Sequence, residues 1–406
     1  MRTCVTVVCL ALVAACAPGD DSRRWLGEVL EQPSPGDPGS RYPHLAAAPD
    51  GTLVMSWLQP RDDDSHELRF ATWQGSAWSA ASVVASGNDW FVNWADFPSV
   101  VPGPGGLRIA HWLQQRPEHV YSYDVRIAVS RDAGRSWSPP LTPHDDGTPT
   151  EHGFVTLLPQ AEGFLAIWLD GRHTEGGHDH GHGGDGGAMT LRSVGIDAAG
   201  QPAGAGVELD SRVCDCCQTD AATTREGVVV VYRDRSPAEI RDVAVVRRTT
   251  SGWSEPQAVH EDGWHMPACP VNGPAIDAQG SEVAVAWFTA PDRPRVRLAF
   301  SSDAGRSFSA PIEVAAGRVA GRVDVVLLED GRAAVSWLEE TADGAEIRVQ
   351  PFTRSGVAGR AVTVARSSAN RSSGFPQMVR AGDRLLFAWT EAAEPLQLRT
   401  ATAELR

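Results

Sequence analysis

Residues 130–137 read SRDAGRSW, and residues 301–308 repeat the same pattern as SSDAGRSF. The aspartate of such a stretch can accept hydrogen bonds from nearby backbone amides, the glycine can take a positive φ, and the aromatic side chain can pack against a neighbouring strand. The matching positions are Ser130, Asp132, Gly134, Trp137, Ser301, Asp303, Gly305 and Phe308. Two copies of one turn predict a chain built from repeated β units.

Seven short β-rich runs, each ending in an aromatic residue, extend this repeat along the chain. Successive runs are 50 to 64 residues apart, and each has a preceding strand, a glycine turn and two following strands. The aromatic residues, which we assign to packing, are Trp57, Trp112, Trp168, Tyr232, Trp287, Trp337 and Trp389. Units of about 40–50 residues with four strands are typical of propeller blades. The sequence therefore predicts an all-β, seven-bladed β-propeller, with a six-bladed ring as the alternative.

The last repeat, which begins at Phe375, reaches the end of the chain one strand short of a complete blade. A strand-like patch lies near the N-terminus, inside a segment rich in proline, glycine and aspartate. We expect residues 26–32 to supply the missing outer strand by pairing with residues 397–403. Joining both chain ends in one blade also removes an exposed strand edge.

The repeated turn resembles the Asp-box, S-x-D-x-G-x-[ST]-[WF], of sialidases and related BNR-repeat propellers. The resemblance implies that the turn joins the third and fourth strands of a blade, on the face opposite the ligand site, so it indicates fold rather than chemistry. Sialidases also use an arginine cluster, a Tyr–Glu nucleophile pair and an aspartic acid/base. The arginine that usually precedes the first Asp-box is missing here, and DFPSV at 96–100 is the nearest counterpart. We therefore assign no catalytic residue, and sialidase-like glycoside hydrolysis is the alternative function.

Five arginines lie in loops on the expected ligand face and would allow an anion-binding mouth there. They are Arg116, Arg172, Arg233, Arg235 and Arg241. Solvated loop arginines are the other interpretation of the same residues.

The N-terminus has a basic residue, a short apolar run and small residues before Cys16. This pattern is typical of a secretory signal, and the run is too brief to span a bilayer. VAAC resembles a bacterial lipobox, which implies that Cys16 carries a lipid; an ordinary signal cut near Ala15 is the alternative. The expected organisation is a signal peptide at 1–16, a tether with the closing strand at 17–40, and the propeller at 41–406. The resemblance implies an exported, lipid-anchored envelope protein at the outer membrane, facing the periplasm or the surface.

The composition restricts the partners. The 406 residues carry a formal net charge of -15, so nucleic acid and anionic lipid surfaces are poor partners. Membrane contact is expected through the N-terminal lipid alone. A glycan or another envelope protein could still bind around the central channel.

Sulfur is concentrated at residues 214–217, which read CDCC, and one more cysteine follows at Cys269. In the propeller frame, both segments lead into the innermost strands of neighbouring blades. A loop rich in histidine and glycine belongs to the blade before them, and all three segments open on one face. The candidate metal ligands are Cys214, Cys216, Cys217, Cys269, His173, His178, His180, His182, His265, Met266 and, in a secondary position, His152.

Thiolates combined with imidazoles suit soft or borderline ions. We expect copper in preference to zinc, because Met266 adds another soft donor. The predicted function is the handling or sensing of a transition metal in the bacterial envelope. One inter-blade disulfide with two free thiols is the alternative for the cysteines. A scaffold that binds a glycan or a protein is a further alternative for the whole chain.

Overall fold

The computed structural model describes residues 25–174, 187–357 and 359–406. These residues form 28 β-strands in seven sheets, with two short 3-10 turns at Pro104–Gly106 and Arg371–Ser373. The predicted seven-bladed propeller is confirmed, and the six-bladed alternative is wrong. Within the same ranges, no helix is long and apolar enough to cross a membrane.

The strands of each blade run from the central channel outward. Blade one consists of β2 (Arg41–Ala47), β3 (Leu53–Pro60), β4 (His66–Thr72) and β5 (Ser82–Gly87), and blade two consists of β6 (Ser99–Pro102), β7 (Arg108–Gln115) and β8 (Tyr123–Ser130). Blade three consists of β9 (His152–Gln160), β10 (Gly163–Asp170), β11 (Thr190–Asp197) and β12 (Val207–Asp210). Blade four consists of β13 (Asp220–Thr224), β14 (Gly227–Arg233), β15 (Val243–Thr249), β16 (Gly252–Trp253) and β17 (Gln257–Ala258). Blade five consists of β18 (Ala275–Gln279), β19 (Glu282–Thr289), β20 (Arg295–Ser301) and β21 (Ile312–Ala316). Blade six consists of β22 (Val319–Leu327), β23 (Ala333–Thr341), β24 (Gly344–Phe352) and β25 (Val362–Ser367). Blade seven consists of β26 (Gln377–Ala381), β27 (Arg384–Glu391), β28 (Gln397–Glu404) and, from the N-terminal segment, β1 (Leu30–Gln32).

The innermost strands contact one another in blade order, and β26 of blade seven contacts β2 of blade one, so the sheets close into a ring. Neighbouring strands within each blade are antiparallel, which alternates the chain direction. Consequently the segments leading into the innermost strands share one face with the loops between second and third strands. We call this the site face. The Asp-box turns follow the third strands of blades two and five and lie on the opposite face.

The seven repeat aromatics all lie on the second strands of their blades and are buried. Trp57, Trp168, Tyr232 and Trp287 have no exposed surface at all. Their assignment to packing is confirmed, because they fill the hydrophobic layers within and between the sheets.

The two Asp-box turns have the same internal hydrogen bonds. Ser130 Oγ accepts from the Gly134 amide and donates to Asp132 Oδ1, both at 2.8 Å. Asp132 in turn accepts from the Ser136 amide and hydroxyl at 2.9 and 2.7 Å. Hydrogen bonds from Ser136 and Ser130 lower the pKa of Asp132 to about 2. The turn at 301–308 repeats these four bonds at 2.6 to 2.9 Å.

The closing strand forms as predicted. In β1, Leu30 pairs with Thr402 and Gln32 pairs with Thr400 of β28, and Leu26 forms a further bridge to Leu405. Leu26 and Trp25 are buried, so this segment contributes to the core as well as to the sheet. The predicted signal peptide, with Cys16, and the rest of the tether before Trp25 lie outside the described residues.

Aspartates join neighbouring blades at the channel. Each accepts a hydrogen bond from a backbone amide of the next innermost strand, and the pairs are Asp96 with Phe154, Asp220 with Ile276, Asp277 with Leu327, and Asp324 with Met378. Burial raises the pKa of Asp96 and Asp324 to about 8 and that of Asp220 to about 7. These carboxyl groups are therefore protonated in the folded chain at pH values where an unfolded chain has lost the proton.

We expect Trp25→Ala to lower the free energy of unfolding by about 3–5 kcal/mol, because a buried indole is replaced by a cavity. The change also removes the hydrogen bond from Trp25 Nε1 to the Arg360 carbonyl, 2.8 Å. Leu30→Ala is the matched control on the same segment, since Leu30 is 52% exposed, and it should change stability by no more than about 0.5 kcal/mol. Urea unfolding of both variants checks this, and equal stabilities would contradict a structural role for the segment.

The channel aspartates predict that stability falls as the pH rises from 6.5 to 8.5. Their folded-state pKa values are raised, so the stabilisation that comes from their protonated carboxyl groups is complete below about pH 4. This stabilisation is lost as the pH rises from about 4 to about 8, at no more than about 1.4 kcal/mol per group and pH unit. Burial lowers the pKa of His44 to about 4 and of His111 to about 3, and these histidines act in the opposite direction below pH 6.5. Urea unfolding at constant ionic strength should give a smaller pH slope for Asp324→Asn. A flat or rising profile would contradict the prediction.

Candidate metal centre

The cysteine segments occupy the predicted positions. Residues 214–217 precede β13 of blade four, and Cys269 precedes β18 of blade five, so both lie on the site face. Val213 holds the start of the first segment, because its amide donates to the Met189 carbonyl at 2.9 Å and its side chain is fully buried. The sequence therefore placed these cysteines correctly.

The sulfur atoms are close together. Cys214 Sγ lies 3.4 Å from Cys217 Sγ and 4.0 Å from Cys216 Sγ, and all three sulfurs lie within 4.8 Å of one another. The Cys269 thiol interacts with that of Cys216. All four cysteines are free thiols, so the structure contains neither an inter-blade disulfide nor any other disulfide among its described residues.

Burial and hydrogen bonding divide the thiols into two kinds. Burial raises the pKa of Cys214 to about 11 and, with hydrogen bonds among the thiols, raises that of Cys216 well above its ordinary value. Burial alone would also raise the pKa of Cys217. Hydrogen bonds from Cys214 and Cys216, together with the Arg233 guanidinium, instead lower it far below the ordinary range. The Asn272 amide donates to Cys217 Sγ at 3.4 Å. Of Cys214, Cys216 and Cys217, Cys217 is therefore the one whose surroundings favour the thiolate form.

Two buried arginines of blade four adjoin this cluster. Arg233 is satisfied by backbone carbonyls: it donates to Asn272 O at 2.9 and 2.7 Å, to Arg241 O at 2.6 Å and to Phe288 O at 2.7 Å. Arg241 donates to Glu239 at 2.8 Å, but its Nε and Nη1 are buried and have no hydrogen-bond partner. Burial alone would lower the pKa of Arg241, and the neighbouring Cys214 and Asp215 raise it. A buried cation with unused donors favours an anion beside it.

The sequence prediction placed both arginines in loops and did not connect them to the cysteines; for Arg233 this was wrong, because it is the buried last residue of β14. Arg241 lies in the loop between the second and third strands of blade four, which opens on the site face by the rule that placed the cysteines. The sequence therefore contained enough information to place Arg241 on the same face as the cysteines. The direction of its guanidinium depends on packing and could not be obtained from the pattern.

The other predicted ligands are dispersed. His173 is exposed and lies 3.8 Å from Glu208, and His178, His180 and His182 fall outside the described residues. His265 is exposed, while Met266 packs against the hydrophobic cluster between blades five and six.

His152 belongs to a different cluster from the cysteines. It is fully buried as the first residue of β9, and its Nε2 lies 3.2 Å from Asp146 and 3.8 Å from Asp170. Its ring stacks on that of His144, with centroids 3.8 Å apart. The sequence contained the two histidines in TPHDDGTPTEHG but did not associate the aspartates with them.

The Tyr–Glu pair implied by the sialidase resemblance has a counterpart that the sequence did not reveal. Tyr123 Oη donates to Glu151 at 3.0 Å and lies 3.3 Å from Asp96. Tyr123 is 1% exposed, and the Phe91 ring stacks on it at 4.0 Å. Burial, together with the neighbouring Glu151 and Asp96, raises the pKa of Tyr123 well above its ordinary value. A covered and weakly acidic phenol is a poor nucleophile, so this geometry does not favour glycoside hydrolysis.

Comparison with known proteins extends the fold assignment only. No family model and no curated protein sequence matches the chain. Among solved structures, a protein of unknown function from Dyadobacter fermentans is similar with a TM-score of 0.50 and 13% identity, over 94% of this chain and 99% of that one. The α-L-arabinofuranosidase of family GH93 from Fusarium graminearum has a TM-score of 0.48 and 13% identity over 94% and 98%, and Trypanosoma rangeli sialidase has 0.48 and 12% over 82% and 56%. At these identities the likeness concerns the fold alone. The ring of seven sheets makes the chain a seven-bladed β-propeller, and the Dyadobacter fermentans structure shares this fold.

Proposed function

We propose that this chain binds a soft transition-metal ion through Cys214, Cys216, Cys217 and Cys269, with copper(I) preferred over zinc. The ion would be held at the site face, between blades four and five. The biological role would be the handling or sensing of metal in the bacterial envelope.

The arrangement of the sulfur atoms carries the proposal. Four thiolates around a tetrahedral ion with metal–sulfur bonds of about 2.3 Å are about 3.8 Å apart. The separations of 3.4 and 4.0 Å from Cys214 to Cys217 and Cys216 bracket that value. Cys214, Cys216 and Cys217 are therefore already spaced much as three ligands of one ion would be.

The charges around the sulfurs support the same proposal. Thiolates must lose their protons to bind, so a metal–thiolate centre is anionic. The two unpaired donors of Arg241 would then face a negative charge, and the Asn272 amide already donates to Cys217. Such outer contacts are what orient metal ligands and adjust their affinity.

Copper(I) suits the donor set better than zinc. Among the described residues, the sulfurs of Cys214, Cys216 and Cys217 form the mutually close group, and the Cys269 thiol interacts with that of Cys216. Zinc structural sites are almost always closed by four ligands, whereas copper(I) is satisfied by fewer and is favoured by soft thiolates. The predicted lipid anchor at Cys16 would hold the propeller in the envelope, and the histidine-rich loop at 173–182 would collect ions at low affinity.

Replacing Cys217 with serine should lower the affinity for copper(I) by more than about 100-fold, because losing a ligand costs more than losing an outer contact. The reduced, metal-free protein would be titrated with copper(I) against a chromogenic chelator. Apparent affinity should also fall as the pH is lowered, since protons compete for the thiolates. Cys269→Ser should weaken binding, and His265→Gln, at an exposed position, should leave it unchanged.

Equal copper(I) affinity in wild type, Cys217→Ser and Cys269→Ser would contradict the proposal. So would a stable disulfide among the four cysteines in protein isolated from its native envelope. Thiol counting on the same sample separates these two results.

Replacing Arg241 with methionine tests the charge argument separately. The variant keeps an apolar chain of similar length but removes the positive charge beside the sulfurs, so copper(I) affinity should fall by about 10–100-fold. Arg248→Met is the control, because Arg248 is an exposed arginine of the same blade. If both variants bind like wild type, Arg241 does not balance the charge of the centre.

A further inference from the structure

We propose a second metal site on the site face, formed by Asp124, His144 and His152, that takes a borderline divalent cation such as Zn²⁺. It uses oxygen and nitrogen donors, shares no residue with the cysteine cluster, and does not depend on the function proposed above.

Three segments of blades two and three meet at this site. Asp124 is the second residue of β8, His144 lies in the connection that follows this blade, and His152 begins β9. One ligand atom from each residue lies within 4.8 Å of the other two. The His144 side chain is 1% exposed and the His152 side chain is fully buried, so neither imidazole is solvated in the folded chain.

Two unsatisfied polar atoms point to a missing partner. His144 Nε2 and Asp124 Oδ1 are both buried without a hydrogen bond, and they lie 3.6 Å apart. Two ligand atoms at about 2.0–2.2 Å from one tetrahedral ion are about 3.4 Å apart. The space between these atoms therefore suits a shared cation better than a direct hydrogen bond.

The neighbouring carboxylates act as supports. Asp146 lies 3.2 Å from His144 Nδ1 and can orient that ring while its Nε2 remains free, and Asp146 also lies 3.2 Å from His152 Nε2. Asp170 already accepts from Trp168 at 2.8 Å and from Arg172 at 2.8 and 2.9 Å. Carboxylates that hold metal-binding imidazoles in this way are typical of metal sites.

The charge of the region leaves room for a cation. Arg116 occupies only Oδ2 of Asp124, at 2.8 Å, and leaves Oδ1 unused. Arg172 pairs with Asp170 and Asp146. Three carboxylates thus face two guanidinium groups, and a divalent ion would compensate the remaining negative charge. Imidazole and carboxylate donors select Zn²⁺ and similar ions, whereas copper(I) prefers the thiolates.

The test uses Zn²⁺ and Co²⁺ as probes on the full propeller chain in the Cys217→Ser background, which weakens the thiolate site. Equilibrium dialysis with elemental analysis should find one tightly bound Zn²⁺ per chain. His144→Gln and Asp124→Asn should each lower Zn²⁺ affinity by more than about 100-fold, because each removes a ligand. His119→Gln is the matched control, since His119 is an exposed histidine of the same blade. Bound Co²⁺ should show visible d–d bands without sulfur charge-transfer absorption.

The proposal is overturned if His144→Gln and Asp124→Asn bind Zn²⁺ like His119→Gln, or if the d–d bands of bound Co²⁺ are the same in these two variants as in His119→Gln. Circular dichroism identifies a variant that has failed to fold, and Asp124→Asn keeps the test valid because it preserves shape at a partly exposed side chain. Copper(I) titration of the same variants with Cys217 restored should be unchanged. A failure of the thiolate site and a failure of this site therefore give different results.

Discussion

Hydrogen bonds that link neighbouring blades beside the channel are the constraint on which the ring depends. Four junctions use an aspartate that accepts from the next blade's amide, as Asp220 does from Ile276 at 2.8 Å. The remaining three use hydroxyl groups: Ser56 accepts from Val100, Thr156 donates to Thr219, and Thr390 accepts from Tyr42. A sheet alone specifies only its own strands, so these lateral contacts are what give each blade a definite neighbour. At least one partner of each bond lies on an innermost strand.

This constraint also positions the cysteines. Gln218 follows Cys217 directly; its side chain donates to Ala95 O at 2.6 Å and accepts from the Gly273 amide at 3.1 Å. Blades two, four and five are thereby connected at one point. A Cβ atom on Gly273 would lie 2.2 Å from the Gln218 carbonyl, so this close approach requires glycine. The thiols are held by the frame of the propeller rather than by a free loop, which favours a preorganised site.

The two clusters on the site face differ in a way that follows from their surroundings. At the cysteines, the Arg241 guanidinium donates to Glu239, while its buried Nε and Nη1 lack hydrogen-bond partners. At the histidines, Arg116 and Arg172 are already paired with carboxylates, and the unused atoms belong to Asp124 and His144. An anionic metal–thiolate centre would complete the first environment, and a cation would complete the second. The same fold thus presents complementary electrostatics in neighbouring blades.

The sequence by itself determined the repeat, the number of blades, the closing strand and the face on which the cysteines lie. These features follow from strand alternation and turn chemistry, which act over a few residues and leave a pattern in the chain. Only the tertiary structure decided that Cys269 interacts with Cys216, that Arg241 has two buried donors without partners near the cysteines, and that His152 lies beside Asp146 and Asp170. These contacts join segments of different loops and blades, and they depend on side-chain direction and lateral packing. No periodic pattern encodes that geometry, because it exists only once the ring has closed.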